Sequence, residues 1–470
     1  MKKDAGKRRS KAVVGTEAST AVLCTLATLG LLGCGQTYRP VVSAINPVGP
    51  AGQPTKYAIA VSSPSTGTNG LLTLVDFSGD SVIATPEILP NPTYLAVLAS
   101  GAEAYAINGE NSLSAIPLTS PTALLTSVVV QTALPTDPPA NASSISAFTL
   151  GTAARVLLPE AGRSSVAVLT AGSPALQQEI AVSANPVYVV GTDTTPRAYV
   201  ISNGNGTGIG QVAAIEGSSL SISATIPVGI DPVFGVETAD VRRAFILNHG
   251  SGTVSVINVT NNALDNANPV LPATGTLGVN PIWADLSTAT NELLVLSAGN
   301  GTDPGTLSVV SIPLCNTAAQ PTNPSCDATN PTDGAGFGTV LASIPVGVNA
   351  AMVSVLADGT QAYVVNQGNG TVQGSVTVIN LTSNTVVATI PGAAATSPGL
   401  TPVCPSTVGS AACVYGHPAT VAATTGTPTG KVYITSPDSN YMTVLETDTD
   451  AVDTHINLQG AGVRVRVSAP

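Results

Sequence analysis

Short apolar segments alternate with polar, glycine-rich turns over most of this chain. The clearest unit, residues 349–392, contains four such segments, at 352–356, 362–366, 375–381 and 385–390. The segments are rich in Val, Ile and Thr, and turns containing Gly or Asn separate them, which is typical of short antiparallel strands joined by hairpins. The pattern therefore predicts a four-stranded sheet.

This unit recurs along the chain. Each copy begins with a polar residue, usually before Pro, and in five copies the first core residue of the second strand comes fourteen positions later. These pairs are Asn91 and Tyr105, Asn185 and Tyr199, Asp231 and Phe245, Asn280 and Leu294, and Asn349 and Tyr363. The step is sixteen from His417 to Tyr433, and a degenerate copy begins near Asn141. The unit-start residues are therefore Asn91, Asn185, Asp231, Asn280, Asn349 and His417.

Successive unit starts lie 46 residues apart from Asn185 to Asp231 and 49 from Asp231 to Asn280, a length typical of propeller blades. With an incomplete first copy from Tyr57, the chain holds eight units. It is predicted to be all-β, a single β-propeller of four-stranded antiparallel blades closed by its terminal strands. The first copy has strands at 57–62, 71–77 and 81–88 but lacks a first strand. Segment 463–467 would supply it and remove an exposed sheet edge, with 41–45 as the competing candidate.

Several strands resemble the YVTN-type β-propeller repeats, which are named for a Tyr-Val-Thr-Asn strand. The matching second strands begin at Tyr363, Tyr199 and Tyr433, and the following strands read Gly-Thr-Val-Ser-Val-Ile-Asn at 252–258 and Gly-Ser-Val-Thr-Val-Ile-Asn at 374–380. The resemblance covers residues 57 to about 467. It implies a propeller that is usually seven-bladed, so seven blades is the alternative to the eight counted here.

Composition agrees with a folded β protein. Only 9% of residues are charged and 43% are hydrophobic, whereas a disordered chain has low hydrophobicity and high charge. The first 33 residues hold six of the 16 basic residues and two of the 27 acidic ones, which leaves 10 against 25, a formal charge of −15. Such a surface repels nucleic acid, so no nucleic-acid partner is expected.

The first 33 residues have the pattern of a signal peptide, with six basic residues before an apolar run from Ala18 to Leu32. The run ends in Leu-Leu-Gly-Cys, which resembles the bacterial lipobox. The resemblance implies cleavage before Cys34 and lipidation of that residue, with Gly35 favouring the outer over the inner membrane, on its periplasmic or surface side. The expected organisation is a signal peptide at 1–33, a lipidated Cys and linker at 34–56, and a propeller at 57–470.

Four further cysteines fall inside the two longest units. In an oxidising compartment they predict two disulfides, Cys315 with Cys326 and Cys404 with Cys413, each closing an insertion. Zinc is the alternative, but neither pair has the spacing of zinc ligands. We therefore expect no metal site and no cofactor.

The unit-start residues are the candidate site, since a propeller brings them to one face near its central channel. In the structural interpretation each side chain caps its own turn. In the functional interpretation they form a polar funnel mouth that holds a small polar ligand or a calcium ion.

No catalytic constellation is visible, because the three histidines do not obviously converge. The favoured function is therefore a non-enzymatic binding or scaffolding module of the cell envelope, whose partner is a protein, a glycan or a small polar ligand. The lipid anchor is its only expected contact with the membrane. The alternatives are a propeller enzyme of the lactonase or quinoprotein type and a structural envelope protein.

Overall fold

The computed structural model describes residues 56–65, 67–109, 111–118, 130–314, 333–393, 404, 413–424 and 430–468. These residues form strands and turns, and the strands assemble into eight antiparallel four-stranded sheets. The fold is an eight-bladed β-propeller, as the repeat count predicts. None of the described residues form a helix that could cross a membrane.

Blades are numbered 1 to 8 from Tyr57, and the strands of each blade are counted outward from the channel. The first strands, from blade 1 to blade 8, are Ala461–Val467, Pro92–Val97, Ser146–Leu150, Pro186–Val190, Pro232–Glu237, Pro281–Ser287, Ala350–Val355 and Thr420–Ala423. The second strands are Tyr57–Ser63, Glu103–Asn108, Ala153–Glu160, Arg197–Ser202, Arg243–Asn248, Glu292–Ser297, Gln361–Asn366 and Lys431–Thr435.

The third and fourth strands complete each blade. The third strands are Asn69–Asp76, Ser112–Pro117, Ser165–Thr170, Ile209–Glu216, Thr253–Asn258, Pro304–Ser311, Ser375–Asn380 and Tyr441–Glu446. The fourth strands are Ser81–Ala84 with Glu87–Pro90, Val130–Ala133, Leu176–Ala181, Ile222–Ile230, Ala263–Leu264 with Val270–Leu271, Val340–Val348, Thr385–Ala393 and Ala451–Asn457. Two short parallel additions flank blades 3 and 7, at Thr194–Thr195 and Val414–Tyr415.

Buried apolar clusters hold neighbouring blades together, one at each of the eight interfaces. In blade 4, Ala198 and Val200 face blade 3, whereas Tyr199 and Ile201 face blade 5. Because successive side chains of a strand point to opposite faces and both faces are covered, the inner strands are continuous apolar runs.

In blades 7 and 8 the Tyr of the repeated second strand joins its blade to the next one. The Tyr363 hydroxyl donates to Asp450 Oδ1 at 2.7 Å, and the Tyr433 hydroxyl donates to Asp80 Oδ1 at 3.0 Å. Both acceptors lie in the turn between the third and fourth strands of the following blade. In blades 7 and 8 this Tyr therefore has a structural role, since its ring is buried and its hydroxyl is hydrogen-bonded.

The C-terminal strand closes the ring of blades. Ala461–Val467 pairs antiparallel with Tyr57–Ser63 and becomes the first strand of blade 1, as predicted from segment 463–467. Ser468 extends the seam, since its backbone N–H donates to the Tyr57 carbonyl and its Oγ accepts from the Tyr57 N–H, both at 2.9 Å. The competing segment 41–45 lies outside the described residues.

The two long insertions leave the propeller at different places. A disulfide joins Cys404 to Cys413, with their Cα atoms 5.7 Å apart, between the fourth strand of blade 7 and the first strand of blade 8. Cys315 and Cys326 lie outside the described residues, as does Cys34. Their pairing and lipidation therefore stay predictions.

Candidate functional site

The unit-start residues have an unusual backbone conformation. Five of them occupy the left-handed region, with φ between 51° and 60°, and so does Asn141 at the start of the degenerate copy. The five are Asn91, Asn185, Asp231, Asn280 and Asn349. Asn and Asp tolerate this region better than other residues that carry a side chain. The turn into each first strand is thus one reason for these residue types.

Their side chains are bonded to the hairpins that join second and third strands. Asn280 Nδ2 donates to the Gly299 carbonyl at 2.9 Å, and Asn349 Nδ2 donates to the Gly368 carbonyl at 2.6 Å. These contacts place the unit-start residues and the hairpins on one face of the propeller, which we call the rim.

Two other unit-start residues, Asp231 and His417, each contact a different side chain on the rim. Asp231 Oδ2 lies 3.1 Å from His249 Nδ1, and Asp231 Oδ1 accepts from Asn203 Nδ2 at 3.1 Å. His417 Nδ1 lies 2.6 Å from Asp438 Oδ2. These geometries favour the structural interpretation of the rim. A ligand held by the six unit-start residues stays a prediction.

A second layer of repeated positions lies deeper in the channel, three residues after the unit start. In five blades the first strand has a β-bulge immediately before this position. A bulge redirects the next side chain, here toward the neighbouring blades across the channel. The five side chains are Tyr94, Tyr188, Phe234, Trp283 and Met352. The closing strand has the same irregularity before Arg464.

These side chains touch one another across blade boundaries. The rings of Phe234 and Trp283 are stacked with centroids 4.0 Å apart, and Tyr188 contacts Phe234 at 4.6 Å. Arg464 reaches this layer from blade 1. Its Cζ lies 3.9 Å from the Tyr94 ring centroid and 5.2 Å from that of Trp283. The layer is therefore an aromatic plug built around a cation.

The guanidinium of Arg464 has fewer hydrogen-bond partners than a buried charge usually has. Its Nε and Nη2 atoms are shielded from solvent and have no hydrogen-bond partner among the described residues. Burial and, to a smaller extent, the charge of Arg466 lower its pKa to about 10, while Tyr94 and Tyr188 oppose the fall. The guanidinium is nevertheless protonated at neutral pH, so a positive charge that forms no ion pair among the described residues lies inside the channel.

Two residues further along the first strands, Asp285 and Arg466 form a charged layer. Asp285 Oδ2 accepts from the Val355 N–H of the next blade, and Oδ1 accepts from the Leu286 N–H, both at 2.9 Å. Burial raises the Asp285 pKa to about 6, while these hydrogen bonds and the charge of Arg466 oppose the rise. Asp285 thus already accepts two hydrogen bonds from backbone N–H groups. Its carboxyl group becomes protonated as the pH falls below about 6.

Two cavities lie beside this charged layer. The larger, about 400 Å³, is lined by Trp283, Asp285, Met352 and other residues of blades 5 to 8, and the smaller, about 200 Å³, lies against blades 2 to 4. Arg466 and Val467 line both. The linings include the ends of first strands, so the cavities lie toward the face opposite the rim. Across the described ranges, no three His, Cys, Asp or Glu side chains converge to hold a metal.

We call Tyr94, Tyr188, Phe234, Trp283, Asp285, Arg464 and Arg466 the channel site. Sequence reasoning assigned two of these residues only to a closing strand and did not select the others. A signal was present, because four of the chain's 16 aromatic residues fall three positions after a unit start. The bulge that turns them into one layer depends on strand pairing and was not visible in the sequence.

The described residues thus define an eight-bladed propeller with a charged, aromatic channel. No protein-family model and no curated protein matches the chain. Apo AztD from Citrobacter koseri is 11% identical with a TM-score of 0.56, over 88% of this chain and 98% of that one. The dihydro-heme d1 dehydrogenase NirN in complex with DHE is 12% identical with a TM-score of 0.57, over 89% and 77%. At such identities the likeness shows the fold alone.

Proposed function

We propose that this protein is a non-enzymatic binding module of the bacterial cell envelope, and that its channel site holds a small ligand. The observation that carries the proposal is that Arg466 lines a cavity of about 400 Å³ and forms no ion pair among the described residues. A concave, mostly apolar cavity with a few polar groups is the usual form of a small-molecule site. Binding without chemistry fits a site whose acid, Asp285, is already hydrogen-bonded.

The envelope location is a separate part of this proposal and rests on the lipobox ending at Cys34. A lipidated Cys with several acyl chains anchors a protein stably, whereas a single chain does not. Replacing Cys34 by Ser in the full chain should move the protein from the membrane fraction to the soluble fraction after export. A Cys24→Ser change inside the expected signal peptide is the matched control and should leave it in the membrane. Mature protein without lipid on Cys34 contradicts this part.

The ligand is tested with the small-molecule fraction of the producing cells. This fraction should raise the thermal midpoint of the purified full chain, and an Arg466→Gln variant should lose the rise. Mass spectrometry should then recover the bound compound unchanged. Recovery of a converted compound would favour the enzyme alternative. Absence of any shift, together with ordered self-assembly, would favour the structural alternative.

A further inference from the structure

The charge inside the channel is opposite in sign to the net charge of the rest of the molecule. The residues after the expected signal peptide carry 10 basic and 25 acidic groups. Nevertheless the interior of the channel holds Arg464 and Arg466 against one acid, Asp285. The other acid beside the cavities, Asp193, is exposed at the edge of the smaller one. A locally positive cavity in an acidic protein selects for anions.

The partners of the two guanidiniums differ from those of the other buried arginines. Among the described residues, no carboxylate oxygen forms an ion pair with Arg464 or Arg466. Within the described part of the chain, Arg466 makes one long hydrogen bond, from Nη1 to the Val465 carbonyl at 3.4 Å. By contrast, buried Arg243 has two carboxylates, Asp265 and Asp333, each 3.0 Å from Nη2. Buried Arg155 has no carboxylate, but its Nη1 donates to the Leu150 and Gly217 carbonyls at 3.0 and 2.7 Å, so each of these two structural arginines has close oxygen partners.

The apolar side chains around Arg466 indicate the chemistry of the uncharged part of the ligand. Trp283, Met352, Val353 and Val421 line the larger cavity, and the Trp283 ring centroid lies 5.8 Å from Arg466 Cζ. A flat apolar group could pack on these walls while its charged end reaches the guanidinium. Arg forms paired hydrogen bonds with planar anions such as carboxylates.

We propose that the channel site binds a small organic carboxylate with a flat apolar body, the carboxylate on Arg466 and the body against Trp283. This inference rests on the proposed function and adds the chemical class of the ligand. Arg464 supplies a second positive charge within the aromatic layer. It acts through the field rather than by contact, because its Nε and Nη2 atoms are buried.

Tryptophan fluorescence monitors this site directly, because Trp283 is the only tryptophan of the sequence. Tryptophan emission of the full chain is titrated with benzoate, phenylacetate and phenylpropionate, and with the uncharged amide of each. Acetate tests the charge without the body. At least one aryl carboxylate should give a saturable change. Its amide should bind about tenfold or more weakly because it lacks a charge-assisted hydrogen bond, and acetate should also bind more weakly because it lacks the apolar body.

Three variants assign the effect to Arg466. Arg466→Gln should weaken the carboxylate by about tenfold and leave the amide unchanged, and Arg466→Lys should lie between Gln and wild type. Arg163→Gln removes one charge from an outer ion pair with Glu179 and should change nothing. Unchanged thermal midpoints show that the variants are folded.

The proposal is overturned if all three carboxylates fail, if the amides bind as well as the acids, or if Arg163→Gln weakens binding as Arg466→Gln does. Should the cellular fraction still stabilise the protein through Arg466 while every carboxylate fails, the proposed function stands and the ligand class is wrong. Should both fail, the binding function itself is wrong.

Discussion

The rim and the channel use polar residues in opposite ways. On the rim, Asn or Asp recurs at the start of most units, takes a left-handed backbone, and bonds to a hairpin. In the channel, Asp285, Arg464 and Arg466 occur once each, and the two guanidiniums have no acidic partner among the described residues. A polar residue repeated in every blade serves the blade, because each copy has the same local task. A polar residue that occurs in one blade and not at the same position of the others is a better candidate for a functional site.

The largest expected effect comes from the closing strand, which belongs to both regions. Removing residues 461–470 exposes the edge of Tyr57–Ser63 and opens the interfaces of blade 1. We expect a loss of more than about 5 kcal/mol of unfolding free energy, and aggregation, since an apolar edge is left unpaired. Calorimetry of the full and truncated chains measures it.

The control keeps the strand and removes only its non-repeated chemistry. The double change Arg464→Gln and Arg466→Gln should leave a cooperative unfolding transition near that of the wild type, because no buried ion pair is broken. A collapse of stability as large as that of the truncation would mean that the two arginines are structural.

A smaller effect is expected on the rim. Asn349→Ala places an alanine, which lacks a polar side chain, at φ 51°. It also removes the hydrogen bond to the Gly368 carbonyl. It should cost about 1–2 kcal/mol, from the strained backbone and the lost hydrogen bond, and leave ligand binding intact. Asn349→Gly accepts this φ and should cost less than the Ala variant. Chemical denaturation with binding titrations measures both, and Asp231→Ala extends the test. Weaker binding at unchanged stability would restore the rim as the ligand face.

How much of this was predictable differs between repeated and single features. The blade number followed from the spacing of the repeated units, and closure followed from the missing first strand of the first unit together with the segment 463–467 that could supply it. Blade 3, whose start lacks the usual dipeptide, still has Asn141 in the left-handed region. Local sequence therefore carried the repeated elements even where the motif was degenerate.

The channel site was missed for two physical reasons. Strand alternation assigns Trp283 a side of the sheet, but the bulge beside Pro281 changes where it points, and bulges depend on pairing. The environment of Arg464 depends on side chains nearly two hundred and nearly four hundred residues away, at Trp283 and Tyr94. No local pattern records such contacts.

A third test concerns Glu237, a buried carboxyl that accepts a hydrogen bond from the backbone. Glu237 Oε2 accepts from the Thr192 N–H at 2.9 Å, and burial, aided by Asp240, raises the Glu237 pKa to about 7. The folded state thus binds this proton more tightly than the unfolded state, so the stability it contributes falls as pH rises from about 4.5 to 7.

Glu237→Gln removes this titration and keeps an oxygen acceptor. At about pH 8 the variant should be more stable than wild type by about 1 kcal/mol, and the difference should vanish or reverse at about pH 4. Thermal unfolding across this range measures it. Ligand binding should be unchanged. An equal pH dependence in both proteins would contradict the buried, protonated state of Glu237.

The central claim is that the channel is positive inside an acidic protein, and quenching of the single tryptophan by ions of opposite charge tests it most directly. Iodide and caesium quenching of Trp283 emission is compared with quenching of a free tryptophan amide. Relative to that reference, iodide should be the stronger quencher in the wild type, and the preference should disappear in the Arg464→Gln and Arg466→Gln double variant. A preference for caesium in the wild type, as the overall charge of the protein would give, would contradict the account.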